Sequence, residues 1–470
     1  MYMMDRPQHF ISQALLRSQV FADLSSLYAA EVPLYGTLLK INCDVNAQVA
    51  KEHPELHLKE EQLRQISAER HGAIRLGKRE ELKWMGRFFA VLDMFAVNFY
   101  NLADAGQKSQ PVLGTAFRPL HDPDQRMFCS LLVTDFFDKA TKVRIEKALE
   151  SREIFTLALK EMIEIYERQK GLTIEQSLIF RNEAKELFYF RNLATDYPLY
   201  QDLYRQGVNI AADIACFPNP HLNHLTPNSL DIDRLFDTMK HVLQQSDFEM
   251  KDTIEGPPPP ENPDDALCFL RQTAYKALAE PVEFFSADGT HQCDVMHTAR
   301  FGEVEQRGVA LTPKGRTIYD AAIQKTDKIN PQLALTDYEE YVRQYRACFK
   351  DLPKTHDELC KFELGYYTFH FTGAGKISDI QDGINRSNVY TLVEKGLISY
   401  TPIRYEDFLP VSAAGIFAAN LKQYGTAQTA SKKRVYSKEI LESALDAKIY
   451  DSNDLYEEIQ NNSLIALNRK

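Results

Sequence analysis

The chain has 470 residues, 44% hydrophobic and 26% charged, a globular composition that excludes pervasive disorder. Lys and Arg number 55 against 66 Asp and Glu, and the net charge of −11 argues against a nucleic-acid-binding protein while leaving room for a local basic pocket that takes a small anion. No uninterrupted apolar run of secretory or membrane-spanning length follows Met1-Tyr-Met-Met-Asp-Arg6, and the seven irregularly spaced cysteines lack a C-x-x-C pair. A cytoplasmic protein with reduced thiols, acting on neither membrane nor nucleic acid, is expected.

Residues 1–70 read as a mostly helical N-terminal part, with an apolar stretch from Val32 to Leu39 and a charged run from Lys51 to Arg70. A short strand, His71-Gly-Ala-Ile-Arg-Leu-Gly77, comes next. The spacing of Leu82, Met85, Phe89 and Leu92 predicts a helix from Lys78 to about Asp93. Strand-like runs follow at Ala96–Leu102, Pro111–Leu120 and Arg126–Phe137. Residues 138–207 read as a long helical insertion carrying Ile154, Leu157, Leu159, Met162 and Ile165. A second strand lies within Pro220-His-Leu-Asn-His-Leu-Thr226, followed by a helix from Asp231 to about Leu243 with Ile232, Leu235, Met239 and Val242 on one face. Further strand-like runs are Phe248–Ile254, Leu267–Tyr275 and Thr298–Gly308. Lys251 to Asp265, with the run Pro257 to Pro260 and several acids, reads as a solvent-exposed turn or linker. Residues 321–470 read as a mostly helical C-terminal part contributing to the site, with an amphipathic helix around Tyr436–Ala447.

Residues 71–137 and 220–320 thus share one plan of strand, helix and three strands. In both, a Leu follows a histidine at the same spacing, His71 to Leu82 and His224 to Leu235. One βαβββ unit leaves an apolar sheet face open, and two side by side bury it around a cup. The expected fold is α+β: two βαβββ modules in a cupped, barrel-like sheet, surrounded by helices in a single compact unit.

Alternation on a strand puts His71, Ala73 and Arg75 on one face and His224 with Thr226 on another, while His221 and Asn223 point away. Either histidine also fits an ordinary structural role; their equivalent place in the repeated plan singles them out. Glu303, Glu305 and Arg307 share a face, which suits an exposed edge. If that face is buried, the carboxylates need partners, such as a metal for Glu303 and Arg307 for Glu305. Two imidazoles and a carboxylate form the facial donor set that suits iron(II) and leaves positions for a chelating 2-oxo acid and dioxygen, although the set alone does not select iron over manganese or zinc. Arg75 would grip a substrate carboxylate. Gly373-Ala-Gly-Lys-Ile-Ser378 fails the phosphate-loop pattern and fits a turn. His53-Pro-Glu-Leu-His57 lacks the Glu a zinc-protease helix needs. In Tyr405-Glu-Asp-Phe-Leu-Pro-Val-Ser-Ala-Ala-Gly-Ile-Phe417, Ser412 fits a helix cap as well as a ligand contact.

His71-Gly-Ala-Ile-Arg75, Asn223-His-Leu-Thr-Pro227, Leu230-Asp-Ile-Asp233, Phe301-Gly-Glu-Val-Glu-Gln-Arg-Gly308, Ala310-Leu-Thr-Pro-Lys-Gly-Arg316 and Phe408-Leu-Pro-Val-Ser-Ala-Ala-Gly-Ile-Phe417 stand in order along the chain. Together they resemble the motifs of the 2-oxoadipate dioxygenase/decarboxylase (hydroxyglutarate synthase) family of the vicinal oxygen chelate superfamily. The resemblance spans roughly Val32 to Asn420. It implies Fe(II) held by His71, His224 and Glu303, with Glu305 the competing carboxylate. It also implies substrate contacts from Arg75, Val411 and Ser412, with Arg75 serving the reaction directly. The implied reaction turns 2-oxoadipate and O2 into 2-hydroxyglutarate and CO2 in lysine breakdown. The competing functions are an isomerase or lyase on the same scaffold with a non-redox metal, and a non-catalytic small-anion binder.

Overall fold

The computed structural model describes residues 9–104, 109–244, 250–251, 253–262, 265–275, 279–286, 288–298, 300–374, 383–408 and 436–469. It is a mixed α+β structure of several small sheets. The N-terminal part forms α1 (Gln13–Glu31), α2 (Tyr35–Glu52) and α3 (Glu60–Ala68). The first strand is β1 (Arg70–Leu76), and α4 (Arg79–Val91) follows it. The Glu81 carboxylate accepts the Gly77 amide at 2.7 Å, satisfying a donor at the start of that helix. Strands β2 (Phe95–Asn101), β3 (Val112–Arg118) and β4 (Gln125–Leu132) complete a βαβββ unit. β1 pairs parallel with β4, and β2, β3 and β4 run antiparallel. The predicted run to Phe137 stops earlier: β4 ends at Leu132 and a 3-10 turn covers Thr134–Phe136.

All seven residues of β1 are buried, so each of its faces meets a packed layer. Ile74 and Leu76 join Leu82, Met85, Phe88 and Phe89 of α4 in the larger core, and Phe88 stacks on Phe180 with ring centroids 4.9 Å apart. The opposite face presents His71, Ala73 and Arg75.

The helical insertion over 138–207 holds four helices, α5 (Lys139–Glu150), α6 (Leu157–Gln169), α7 (Ile174–Phe188) and α8 (Tyr197–Arg205), with β5 (Leu193–Thr195) between α7 and α8, and α9 (Asn209–Cys216) follows it. Ile154 lies between α5 and α6, and Leu157 is 86% exposed at the first position of α6, so the predicted apolar stripe is broken at its start. The next strand is shorter than predicted: β6 covers His224–Pro227 and pairs antiparallel with β1, setting Ala73 opposite His224 and His71 opposite Thr226. Helix α10 (Ile232–Leu243) is capped by Asp231, whose side chain accepts the Arg234 amide, and it buries Leu243 where the periodicity favoured Val242.

Beyond α10, β7 (Leu270–Ala274) pairs antiparallel with β10 (Glu303–Arg307). Between them stands a hairpin, β8 (Ala279–Phe285) and β9 (His291–Thr298), and β8 pairs with β5 in a separate sheet. The plain order of three strands is therefore corrected to one with an inserted hairpin. The predicted linker is also corrected in part: Gly256 and Pro257 are buried, and single bridges join Met250 to Tyr275 and Glu255 to Gln272. The C-terminal part is not wholly helical, since β11 (Tyr367–Phe371) and β12 (Ile398–Pro402) form an antiparallel pair. The helix Lys438–Leu445 matches the predicted one, and Ser452–Asn468 forms a longer one after it. Among the described residues, no helix is long and apolar enough to cross a membrane.

Candidate metal centre

Register brings the three predicted side chains together. The pairing of β1 with β6 sets His71 and His224 diagonally across two strands. A parallel bridge from Asn228 to Glu305 lays β10 along the far side of β6 and carries Glu303 to Thr226. His71 Nε2 stands 3.1 Å from Glu303 Oε2, and His224 Nε2 stands 3.7 Å from that oxygen. The imidazole centroids are 5.2 Å apart and their planes nearly perpendicular. One ligand atom from each of the three residues lies within 4.8 Å of the other two. Ligands about 2.1 Å from a common ion stand roughly 3 Å apart when adjacent, so this spacing suits one small divalent cation. All three side chains are buried, and both ring nitrogens of His224 lack a hydrogen-bond partner among the described residues. A buried imidazole left so is costly unless something else uses its lone pair. The residues present fit a metal ion.

The environment sets the charge of each donor. Burial, reinforced by the positive charges of His71 and Arg75 and opposed by Glu303, pushes His224 down to about 4, so its imidazole is neutral at neutral pH. Burial also pulls His71 down, but Glu305 and Glu303 outweigh it and leave its pKa raised. Burial would push Glu303 up; His224, His71 and the Thr226 hydroxyl, which donates to Oε2 at 2.7 Å, hold it below the usual carboxylate range.

Glu303 and Glu305 share a strand face as predicted, yet they meet opposite nitrogens of one ring. Glu305 Oε2 lies 2.9 Å from His71 Nδ1, while Arg307 donates to both Glu305 oxygens at 2.8 and 3.0 Å. Against the cost of burial, Arg307 and His71 keep Glu305 ionised. Phe408 packs edge-on against His71 with centroids 4.9 Å apart. Its approach is fixed by a buried charge cluster just before it: Arg118 grips Asp407 at 2.8 and 3.1 Å, Arg126 pairs with Glu69 and Glu406, and Arg307 donates to the Tyr405 and Asp407 carbonyls. Val411 and Ser412 lie outside the described residues, as do Gly375 to Ser378 of the glycine-rich stretch.

Arg75 is buried on the face of β1 that carries His71, and its Nη1 donates to Asp213 Oδ2 at 2.5 Å. Asp213 and His297 are polar residues near the site that sequence reasoning missed, and His221, set aside as pointing away, stands beside Asp213. A single acid in the apolar helix segment Asn-Ile-Ala-Ala-Asp-Ile-Ala-Cys, a position that demands a partner, was the available signal.

Gly302 makes the approach of β10 possible. A Cβ there would stand 1.8 Å from the ring of Tyr275, whose hydroxyl is tethered to the Pro33 carbonyl at 2.9 Å. Gly302→Ala is expected to cost about 1–3 kcal/mol by overpacking and to displace Glu303, weakening metal binding. Chemical denaturation and a metal titration check both effects.

Fold and site together define a class: an α+β protein whose central strands carry the two-imidazole, one-carboxylate donor set used by mononuclear metalloenzymes. The family model described as 2-oxoadipate dioxygenase/decarboxylase matches residues 20–420. The chain is 38% identical over 464 residues to the 2-oxoadipate dioxygenase/decarboxylase of Shigella flexneri, covering 95% of this chain and 96% of that one. The Pseudomonas putida protein of the same name is 36% identical over 471 residues, 97% of each chain. The crystal structure of hydroxyglutarate synthase from Pseudomonas putida in complex with 2-oxoadipate matches with a TM-score of 0.79 at 34% identity, over 98% of both chains. The chain belongs to the 2-oxoadipate dioxygenase/decarboxylase family.

Proposed function

We propose that His71, His224 and Glu303 hold Fe(II) and that the protein converts 2-oxoadipate and O2 to 2-hydroxyglutarate and CO2. The observation that carries this reading is the convergence of three buried donors, from strands far apart in the chain, on a space one cation would fill. Full-length membership of the family supports the substrate. The balance closes: carbon 1 leaves as CO2, one oxygen atom enters the new carboxyl at carbon 2, and the other becomes the hydroxyl at carbon 3. Bound Fe(II) supplies the one-electron chemistry that lets dioxygen react with a closed-shell keto acid.

The chain's own residues bind, orient and exclude water. Arg75, on the same strand face as His71, offers a rigid fork of donors to a substrate carboxylate. The apolar wall of Phe408 and Phe128, centroids 5.3 Å apart, adjoins His71 and keeps that side dry. A carboxylate at Nδ1 favours the Nδ1–H tautomer of His71 and turns the Nε2 lone pair toward Glu303 and His224; Glu305 is so placed, and Arg307 fixes it. Glu305 is therefore the orienting carboxylate and Glu303 the ligand. Glu305→Gln is expected to weaken Fe(II) binding about 10–100-fold in an anaerobic titration while leaving one metal site per chain.

For the scaffold, we read residues 71–137 and 220–320 as two βαβββ modules of the vicinal oxygen chelate kind sharing a cupped sheet, the second carrying the β8–β9 hairpin as an insertion. The order β2-β3-β4-β1-β6, the bridge from β6 to β10, and the pairing of β10 with β7 support this reading. Seven unpaired cysteines suit a cytoplasmic location.

The test is oxygen uptake by Fe(II)-loaded protein with a panel of 2-oxo acids. The expected result is one CO2 and one 2-hydroxyglutarate per O2 consumed, with 2-oxoadipate the preferred substrate. No oxygen uptake with any 2-oxo acid would leave a lyase or isomerase using a non-redox metal in its place.

A further inference from the structure

Arg75 is held by a buried cluster built from four parts of the chain. Its Nη1 donates to Asp213 Oδ2 on α9. The other oxygen of Asp213 faces two imidazoles, His297 Nε2 of β9 at 3.1 Å and His221 Nε2 at 3.3 Å. His297 in turn has Nδ1 3.1 Å from the Tyr200 hydroxyl and 3.2 Å from that of Tyr204, both on α8. The bonding pattern is self-consistent. With a tyrosine hydroxyl donating to Nδ1, His297 carries its proton on Nε2 and donates to Asp213. Asp213 then receives N–H groups from a guanidinium and an imidazole, with a second imidazole beside them, and burial alone would push its carboxyl up; Arg75, His221 and His297 hold it well below its ordinary range instead. It is a permanent anion in a place where an isolated one would be prohibitive.

None of these five groups belongs to the donor set around Glu303, yet Arg75 reaches both regions. It lies on the face of β1 that carries His71, two residues beyond Ala73, which pairs with His224. We propose that Asp213 is a positioning residue for substrate binding: with His297 and His221 behind it, it fixes the Arg75 guanidinium in the orientation that receives a substrate carboxylate. This rests on the reading of Arg75 as the carboxylate contact. The reason for such a backing is geometric. A long, flexible arginine pinned at one terminal nitrogen by a rigid anion loses its rotamer freedom before substrate arrives, so less is lost on binding.

The test is a double-mutant cycle on Fe(II)-loaded protein, using KM for 2-oxoadipate, kcat, and Fe(II) affinity. In Asp213→Asn the amide places an N–H where a donor already stands, so either Arg75 or the imidazoles must turn away. Asp213→Ser, smaller and without that clash, is measured beside it so that the result does not depend on one variant folding. Both are expected to raise KM about tenfold or more, with Fe(II) affinity unchanged and a much smaller change in kcat. Added to Arg75→Met, either is expected to raise KM no further, because the orientation it supplies has no arginine left to act on. Unchanged KM in either well-folded Asp213 variant, or effects that multiply with that of Arg75→Met, would overturn the proposal. If Arg75→Met alone leaves KM unaltered, the underlying assignment of Arg75 fails and this inference with it.

Discussion

His224→Ala is expected to bind no stoichiometric Fe(II) and to lose turnover by about 10³-fold or more, while unfolding near the wild-type midpoint. A bound metal supplies several kcal/mol of stabilisation to the reacting state, and each 1.4 kcal/mol is about tenfold in rate. The site cannot recruit a substitute readily. Glu305 is committed to Arg307 and to the far side of His71, and His221 faces Asp213. The fold should survive because the ring nitrogens of His224 hold no hydrogen bond among the described residues, so truncation strands no donor or acceptor there. Its other contacts are ring packing, with Phe301 at 5.0 Å and His71 at 5.2 Å. Metal analysis of anaerobically loaded protein, beside a thermal melt, separates loss of the ion from loss of the fold. His71→Ala should lose the metal likewise, with a larger cost in stability, because it leaves Glu305 and Glu303 buried against each other without the imidazole between them.

Arg75→Met should have the second largest effect, with a different signature. Removing one member of a buried charge pair costs about 2–5 kcal/mol when the partner is left behind, so KM for 2-oxoadipate should rise about 10²-fold. Fe(II) stoichiometry should stay at one per chain, since Arg75 is no ligand. His224, relieved of a neighbouring positive charge, should titrate higher than in the wild type. Part of the penalty should appear as lowered stability, because Asp213 loses its closest counter-charge. Steady-state kinetics with a metal titration reads the first two effects. A normal KM would remove Arg75 from substrate binding.

The first βαβββ unit was legible because its signals are local: a helix stripe of Leu82, Met85 and Phe89 between runs with strand alternation. The candidate ligands were legible for a related reason. Alternation puts His71 with Arg75, and Glu303 with Glu305, on common faces whatever the strands later pair with. It could not tell Glu303 from Glu305. That choice depends on where β10 lies beside β6, a register set by partners 77 residues apart between Thr226 and Glu303. Asp213 and His297 escaped for the same reason, since their contacts span 138 residues to Arg75 and 84 to each other. The β8–β9 hairpin was hidden by its chemistry. Ala-Glu-Pro-Val-Glu-Phe-Phe has a proline and two acids on a strand exposed along much of one side, which reads as loop.

Anomalous diffraction at the iron edge, from crystals grown anaerobically with Fe(II), addresses the heart of the account. One peak within bonding distance of His71 Nε2, His224 and a Glu303 oxygen, with Glu305 still on Nδ1 of His71, is the result it predicts. A peak elsewhere in the chain, or one bound through Glu305 in place of Glu303, would contradict it.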